Sequence, residues 1–362
     1  MSALFLSAAD VDAVTSGFTS DELVALMVTV FTRLSQSASA STPVHVDIAM
    51  PHRTVVPTSS HSVLFMPSRL APFGTALKVV SVPTASASQD VRERGLPATT
   101  LVMDEQTGQV KAIVNAGKLT ALRNAAGSLL SSRLLVPLSR PPHSIVAVGS
   151  GAQIAAHISL FLQNYHTITR CTIFNRSANT RLTSLIKSLH ADSKHSGVVF
   201  EGRALPTKED GEETAARSLY REALLSASIV ITATSSALPL FPSSYISPGT
   251  HLCLIGSYTP TMHEVDTDLI QRAGVVVVDS REACKVEAGE LIAAATPLTS
   301  MVEIGELVTT SGEPAQHLVD NVRRSGNVTI FKSVGVGIQD VAIASAVVDR
   351  AIVNALGTVL QL

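Results

Sequence analysis

The stretch that decides the fold is IVAVGSGAQIAAH, residues 145–157. A short apolar run, followed by glycines and then by helix-forming residues, predicts a buried parallel strand, a tight turn and a helix. The glycines allow the backbone to approach a pyrophosphate closely, and the amides of the first helical turn would face its charge. The stretch therefore predicts a dinucleotide site, with Ile154 where the usual fingerprint has a third glycine or an alanine.

A second apolar run, Cys171 to Phe174, ends in Asn175, Arg176 and Ser177. Many dinucleotide folds place Asp or Glu at this strand end, where the carboxylate accepts a hydrogen bond from the ribose 2′-hydroxyl. An arginine at this strand end favours a 2′-phosphate instead, because a guanidinium binds phosphate through paired hydrogen bonds. The predicted cofactor is therefore NADPH, with NADH as a weaker possibility.

Beyond residue 144, strands alternate with helix-length segments, and the predicted helices include 153–164 and 178–190. This alternation predicts an α/β protein with a Rossmann-type, doubly wound parallel sheet. The charged stretch 208–217 is predicted to be a solvated surface. The predicted strands lie near 145–149, 170–174, 197–200, 228–233, 251–255 and 274–278.

The residues before Pro137 follow a different pattern, which predicts a largely antiparallel sheet with helices beside it. Thr19 and Glu22 have the spacing of a capping box, at the start of a helix predicted to end near Ser35. The last fifty residues are predicted to leave the alternation and to end in an apolar helix that returns to the first domain. The predicted domains are therefore a discontinuous α+β domain, 1–122 and 332–362, and a nucleotide domain, 123–331. Further predictions are strands at 45–50, 62–66 and 76–82, a hairpin at 101–103 and 110–114, and a helix over 119–134.

The composition argues against several classes of protein. A net charge of −2 without basic runs gives no electrostatic footprint for nucleic acid. No apolar run approaches the length of a membrane span, and Leu4-Phe5-Leu6 is too short for a signal sequence. The three cysteines form no CxxC pair. We expect a cytoplasmic protein that binds neither nucleic acid nor membrane.

Three cations outside the nucleotide stretch are candidates for binding a substrate carboxylate, namely Arg53, Lys78 and Arg123. Taken singly, Arg53 is explained by a surface position, Lys78 by an edge-strand position with its amine in solvent, and Arg123 by a salt bridge between domains. Gathered beside a nicotinamide, they would fix a carboxylate, and the lysine could also transfer a proton. Asp340 could orient such a cluster, although capping of its helix is the commoner explanation for an aspartate there.

The spacing of the histidines does not indicate a metal-binding site. His52, His61, His251 and His263 lack the spacing of zinc enzymes, so no metal site is predicted.

Taken in order and spacing, the motifs resemble the ornithine cyclodeaminase/mu-crystallin family over nearly the full chain. No single motif is decisive, but their succession is specific. The matching segments are Pro51–Arg53, Met66-Pro67, Lys78, Leu101–Asp104 with Thr107-Gly108, Thr120–Arg123 with Ala125-Ala126, Gly149–Gln153, Asn175–Ser177, Thr232–Ser236, Gly256–Pro260 with Glu264 and Asp266, Val278–Ser280 and Phe331–Gly335.

The resemblance implies a substrate-binding and dimerisation domain, an NADP(H)-binding Rossmann domain, an active site in the cleft between them, and a homodimer. Arg53, Lys78 and Arg123 match the family's contacts to the substrate carboxylate, and Lys78 matches the proton relay. The positions that match cofactor contacts are Gly149, Gly151, Ala152, Gln153, Asn175, Arg176, Ser177, Thr234, Ile255, Ser333 and Gly335.

One departure from the family pattern bears on the reaction. Cyclodeaminases proper have an aspartate where alignment through Pro260 places Tyr258, and they tend to have an acidic residue where this chain has Asn175. Both differences favour the imine-reducing branch, which reduces small cyclic ketimines such as Δ1-pyrroline-2-carboxylate or Δ1-piperideine-2-carboxylate to proline or pipecolate. The alternatives are an ornithine cyclodeaminase with catalytic NAD, a non-enzymatic NADPH-dependent ligand binder like mu-crystallin, and reductive amination of a 2-oxo acid.

Overall fold

The structure is a computed structural model, and it describes residues 2–39, 47–84, 86–93, 95–207, 214–309 and 311–361. Its strands are β1 (Ser2–Leu6), β2 (Ile48–Ala49), β3 (Thr54–Pro57), β4 (His61–Leu70), β5 (Gly74–Pro83), β6 (Ala98–Met103), β7 (Val110–Asn115), β8 (Ser144–Val148), β9 (Arg170–Asn175), β10 (Val199–Ala204), β11 (Ile229–Thr232), β12 (His251–Leu254), β13 (Val276–Val278), β14 (Met301–Glu303), β15 (Thr329–Lys332) and β16 (Thr358–Gln361). Its α-helices are α1 (Ala8–Thr15), α2 (Ser20–Ser39), α3 (Gln89–Glu93), α4 (Leu119–Leu135), α5 (Ala152–Asn164), α6 (Thr180–Ala191), α7 (Ala215–Leu225), α8 (Thr267–Ala273), α9 (Arg281–Glu287), α10 (Gly289–Ala293), α11 (Gln316–Ser325) and α12 (Gly337–Val353).

These elements form two structural units. Unit 1 contains residues 1–123 and 336–362, and unit 2 contains residues 124–335. The C-terminal helix α12 belongs to unit 1, so this unit is built from both ends of the chain. The divisions fall after residues 123 and 335, whereas the sequence placed them after 122 and 331.

Unit 2 contains a parallel sheet of the order β10-β9-β8-β11-β12-β15-β13-β14. Apart from Ser144 at the start of β8, the residues of β8, β11 and β12 are all buried, which explains why these strands are continuous apolar runs rather than alternating ones. The chain order reverses between β8 and β11, and the predicted glycine turn lies at the end of β8. The α/β fold with a Rossmann-type doubly wound sheet is confirmed.

The sequence prediction missed two strands of this sheet, β14 and β15. The strand β15 lies inside the sheet between β12 and β13, so the prediction that the last fifty residues leave the alternation was wrong. The reason is that β15 has only four residues and ends in Lys332, a charged residue that is fully buried here. So short a segment carries little periodicity.

Unit 1 contains a mixed sheet of the order β16-β1-β7-β6-β5-β4-β2, with β3 paired to β4. Its strand pairs are antiparallel except for β1 with β7. Helix α12 packs against β4, β5, β6 and β7. On β4 the even-numbered residues from Leu64 to Leu70 are buried, as expected for a strand with one covered face. The two terminal strands, β1 and β16, were not predicted.

Helix α2 begins as predicted and ends later than predicted. The Thr19 amide donates to Glu22 Oε2 at 2.8 Å, and the Glu22 amide donates to Thr19 Oγ1 at 3.2 Å, so the capping box is formed. The helix continues past Ser35 to Ser39. The predicted strand 45–50 corresponds to β2 in part, because residues 45 and 46 lie outside the described residues, as do residues 208–213 of the predicted charged surface.

No single helix among the described residues is long and apolar enough to cross a membrane. Ala8–Thr15 and Ser20–Ser37 reach that length and apolar composition only together, as a pair bent by 101°. No group of three or more His, Cys, Asp or Glu side chains in this part of the chain is arranged to hold a metal ion.

Candidate functional site

The residues that match cofactor contacts lie at the carboxyl ends of five adjacent strands of unit 2. In the order β9, β8, β11, β12 and β15, these ends carry Asn175, Gly149, Thr234, Ile255 and Ser333. Parallel strands bring their carboxyl ends to one edge of a sheet, and ligands of open α/β sheets bind at that edge. The structure therefore brings residues that are far apart in sequence into one row.

The glycine turn after β8 brings the backbone close to the chain leaving β11. Gly149 has φ +120°, and a Cβ at this position would lie 2.8 Å from the carbonyl oxygen of Ala233. Helix α5 then begins without a side-chain cap, so its first amides remain available to an anion. The Gln153 Oε1 atom, in the same first turn, is buried and has no hydrogen-bond partner in the described part of the chain. These features fit a dinucleotide.

Ile154 departs from the fingerprint and is accommodated inside the core. Its side chain is fully buried, and its Cγ1 atom lies 3.3 Å from the position that a Cβ on Gly149 would take. The side chain thus fills the space beneath the turn and does not occupy the edge where a phosphate would bind.

The end of β9 presents a basic residue where an acidic one is common. The Asn175 side-chain amide donates to the Ser177 carbonyl oxygen at 3.0 Å, which shapes the turn after the strand. Arg176 is exposed, and its side chain makes no hydrogen bond or ion pair within the described residues. Its guanidinium can therefore bind an added phosphate without breaking an existing contact.

A buried aspartate organises the end of β15. Asp279 Oδ2 accepts hydrogen bonds from the Ser333 hydroxyl and the Gly335 amide, each at 2.7 Å. Its Oδ1 atom accepts from the Ser280 amide at 2.8 Å. Because the Ser333 hydroxyl donates to Asp279, it can offer only its lone pairs to a ligand.

A second buried carboxylate, that of Glu264, organises the ends of β11 and β12. It accepts from the Thr232 hydroxyl, from the amide and the hydroxyl of Thr234, and from the Gly256 amide, at 2.7–2.9 Å. Burial raises the pKa of Glu264, and the positive charge of Lys332 opposes that shift. Glu264 and Asp279 belong to the family motifs, but neither was predicted to have a role; for Asp279, the available signal was its position directly after an apolar strand.

The matched substrate residues form a buried cation cluster in unit 1. Lys78 lies on β5, and its Nζ atom is 2.6 Å from Asp340 Oδ2, with both side chains at most 5% exposed. Arg123 Nε donates to Asp340 Oδ1 at 3.2 Å, and its Nη1 atom donates to Gln339 Oε1 at 2.5 Å. The two cations thus share one carboxylate.

The surroundings of Lys78 lower the pKa of its amine to about 8, chiefly because the side chain is buried. The positive charges of Arg123 and Arg53 lower this pKa further, whereas Asp340 raises it. An amine with a pKa near neutrality can give or take a proton in the physiological pH range. The arrangement suits a group that binds an anion and transfers a proton.

The structure contradicts the single-residue explanations that were left open for three of these side chains. Lys78 is not an edge residue, since β5 lies between β4 and β6 and the side chain is 3% exposed. Arg123 pairs with Asp340 inside unit 1. Asp340 caps no helix: the Val336 amide, at the start of α12, donates instead to Gln339 Oε1 at 3.1 Å. Gln339, which the sequence analysis did not single out, therefore links the start of α12 to Arg123.

The Asp340 carboxylate should contribute strongly to stability. Asp340→Asn leaves two buried cations without a counter-charge, so we expect the free energy of unfolding at pH 7 to fall by about 3 kcal/mol. Denaturant unfolding measures this change. The matched control is Asp349→Asn, which breaks the exposed Lys111–Asp349 pair and should cost less than about 1 kcal/mol. Equal losses in the two variants would contradict a special role for Asp340.

Comparison with known proteins identifies the family. A model of the ornithine cyclodeaminase/mu-crystallin family matches residues 5–194 and 203–354. An uncharacterized cyclodeaminase of Dictyostelium discoideum is 29% identical over 309 residues, which cover 82% of this chain and 81% of that protein. The ketimine reductase mu-crystallin of Mus musculus is 27% identical over 306 residues, or 83% of this chain and 85% of that protein.

A solved structure shares the fold over nearly the whole chain. The Δ1-pyrroline-2-carboxylate reductase of Thermococcus litoralis, in complex with NADH and L-proline, superposes with a TM-score of 0.76 at 21% identity, covering 98% of this chain and 99% of that one. Together with the match to the family model, these similarities show that the chain belongs to the ornithine cyclodeaminase/mu-crystallin family.

Proposed function

We propose that this protein reduces a cyclic ketimine carboxylate, Δ1-pyrroline-2-carboxylate or Δ1-piperideine-2-carboxylate, to proline or pipecolate with NADPH. The observation that carries the proposal is the buried cluster in which Lys78 and Arg123 share the single carboxylate of Asp340. The relative from Mus musculus, which is named a ketimine reductase, supports the reaction class.

The cluster presents several positive charges to a substrate carboxylate. Lys78 and Arg123 share the Asp340 carboxylate, and the half-buried Arg53 lies near enough for its charge to lower the pKa of Lys78. Guanidinium and ammonium groups make charge-assisted hydrogen bonds to a carboxylate, so the site suits an anionic ligand. Arg53 and Arg123 would hold the carboxylate, and Lys78 would supply the proton that the ring nitrogen gains on reduction.

The carboxyl edge of unit 2 would hold the cofactor. The Gly149 turn and the first amides of α5 would bind the diphosphate, and Asn175, Arg176 and Ser177 would bind the 2′-phosphate of the adenosine. Thr234, Ile255, Ser333 and Gly335 would lie at the nicotinamide end. When bound, NADPH supplies the hydride that reduces the C=N bond.

Tyr258 favours reduction over deamination. It follows β12 at the position where cyclodeaminases proper have an aspartate that assists the amine and water chemistry. A phenol is a far weaker base than a carboxylate at neutral pH. The loop therefore lacks the group that ornithine cyclisation with release of ammonia would use.

We also expect a homodimer, because the sheet of unit 1 has a second apolar face. Opposite to α12, the half-buried side chains of Phe65, Leu77, Val79, Leu101 and Ile113 lie on adjacent strands. Contiguous apolar surface of this kind is typical of a protein interface.

The direct test is consumption of NADPH with freshly generated cyclic ketimines of both ring sizes, between mildly acidic and neutral pH. We expect oxidation of NADPH and formation of proline or pipecolate. Ornithine with NAD is the parallel assay: ammonia release without net loss of cofactor would support the cyclodeaminase alternative. Tight binding of NADPH and a small acid, without turnover of any imine, would support the binder alternative.

The pH dependence of kcat/KM should reveal the proton transfer by Lys78. Because the pKa of Lys78 is about 8, its proton is present below this pH and lost above it, so kcat/KM should fall as the pH rises past 8. Lys78→Arg keeps the charge but cannot transfer a proton at these pH values, so kcat should fall at least about 100-fold while NADPH binding stays unchanged. Ionisation of the substrate affects the wild-type protein and Lys78→Arg alike. If both show an inflection of kcat/KM near pH 8, Lys78 is not the source of that inflection.

Arg176 should determine the preference for NADPH. Arg176→Ala is expected to weaken NADPH binding about tenfold or more and NADH binding less than about twofold, because only NADPH carries the 2′-phosphate. Binding is measured by fluorescence titration of the reduced cofactors. Arg170→Ala, at the opposite end of β9, is the matched control and should change neither affinity. Equal weakening of both cofactors by Arg176→Ala would remove the argument for a phosphate contact.

A further inference from the structure

The Glu264 carboxylate joins two neighbouring strand ends at the edge that would hold the nicotinamide. Its Oε1 atom accepts from the amide and the hydroxyl of Thr234, at 2.7 and 2.9 Å. Its Oε2 atom accepts from the Thr232 hydroxyl at 2.8 Å and from the Gly256 amide at 2.7 Å. The side chain itself is inaccessible to solvent. One carboxylate thus fixes the chain leaving β11 to the chain leaving β12.

The two chain segments approach so closely that only glycine fits at residue 256. A Cβ on Gly256 would lie 2.0 Å from the Thr234 carbonyl oxygen and 2.6 Å from Glu264 Oε1. One backbone hydrogen bond, from the Ile255 amide to the Thr232 carbonyl oxygen at 2.9 Å, joins the two segments directly. The Glu264 carboxylate with its four donors holds them together beyond that point.

A neutral amide cannot replace this carboxylate. Two of its partners are backbone N–H groups, which can only donate, and they approach different oxygens, Thr234 N at Oε1 and Gly256 N at Oε2. In Glu264→Gln, one of these amides would face the NH2 group of glutamine. A buried donor that faces another donor loses its hydrogen bond and keeps its desolvation cost.

The charge of Glu264 is opposed in part by one buried cation of the same unit. Lys332 is fully buried, its Nζ atom donates to the Ser257 carbonyl oxygen at 2.6 Å, and it lies 3.1 Å from Glu290 Oε1. Burial raises the pKa of Glu264, the positive charge of Lys332 opposes that shift, and the negative charge of Glu290 adds to it. An ionised Glu264 can accept all four hydrogen bonds.

We propose that Glu264 is a positioning residue for the nicotinamide half of the cofactor, acting through Thr234 and Gly256 without touching the cofactor. This inference rests on the proposed function. The expected effect is confined to one half of the cofactor, because β11 and β12 lie on one side of β8, whereas β9, which precedes Arg176, lies on the other. Loss of Glu264 should disturb the nicotinamide end and leave the adenosine end intact.

The test compares two ligands that share the adenosine half. Adenosine 2′,5′-bisphosphate probes the 2′-phosphate end alone, and NADPH probes both halves. We expect Glu264→Gln to weaken NADPH binding about tenfold, as for loss of a hydrogen bond to a charged group, with less than a twofold change for the bisphosphate. Calorimetric titration measures both affinities. A merely structural role would weaken the two ligands together, and that outcome would overturn the proposal, as would no change in either.

The matched control is Glu303→Gln. Glu303 is also buried and accepts from the Arg281 amide at 3.0 Å, but it ends β14, at the far edge of the same sheet. This variant makes the same chemical change away from the proposed cofactor strands. It should alter neither affinity, and a selective loss of NADPH binding in Glu303→Gln would count against the assignment to Glu264.

A milder variant keeps the test decisive if Glu264→Gln fails to fold. Thr232→Val removes one donor to Glu264 Oε2 and places a residue favoured in strands at a fully buried position of β11. It should show the same selectivity at a smaller size, about threefold for NADPH. Equal effects on both ligands would contradict the inference. If the wild-type protein binds neither ligand, the proposed function itself fails, which is distinct from failure of the selectivity.

Discussion

The ion pair between Lys78 and Asp340 links two distant parts of the chain inside unit 1. A buried ammonium is tolerable only with a counter-charge, and Asp340 supplies it to Lys78 while also pairing with Arg123. Asp340 comes from helix α12, whereas Lys78 comes from an early strand. Together with the packing of the buried side chains of α12 on β4 to β7, the pair joins both ends of the chain in one unit that is discontinuous in sequence.

Unit 2 depends on a different constraint, the parallel sheet. The carboxyl ends of parallel strands lie at one edge of the sheet. Short motifs that are far apart in sequence therefore lie side by side at this edge, although they need not contact one another. The loops that follow the strands must also be held in place at this edge. Glu264 and Asp279 hold these loops by accepting hydrogen bonds from their backbone amides.

Much of the fold could be predicted from the sequence because it depends on local sequence patterns. The glycine turn after β8, the capping box of α2 and the hairpin of β6 and β7 each depend on residues close in sequence, and each was found. The strand β15 was missed because four residues ending in lysine carry no periodicity. For Asp340 the sequence left two explanations open, helix capping and orientation of the cation cluster, because an aspartate in the first turn of a helix has a sufficient local explanation and its actual partners lie far away in sequence, on β5 and α4.

Positions in this chain differ in how much a substitution would disturb the fold. Asp340, Glu264 and Asp279 are buried acceptors, each with several donors, so replacing one leaves several polar groups unsatisfied at once. Arg176 is exposed on a loop, and its side chain makes no hydrogen bond or ion pair within the described residues, so a substitution there costs the fold little. The residue at such a loop position can therefore change while the buried carboxylates keep the strand ends and the cation cluster in place.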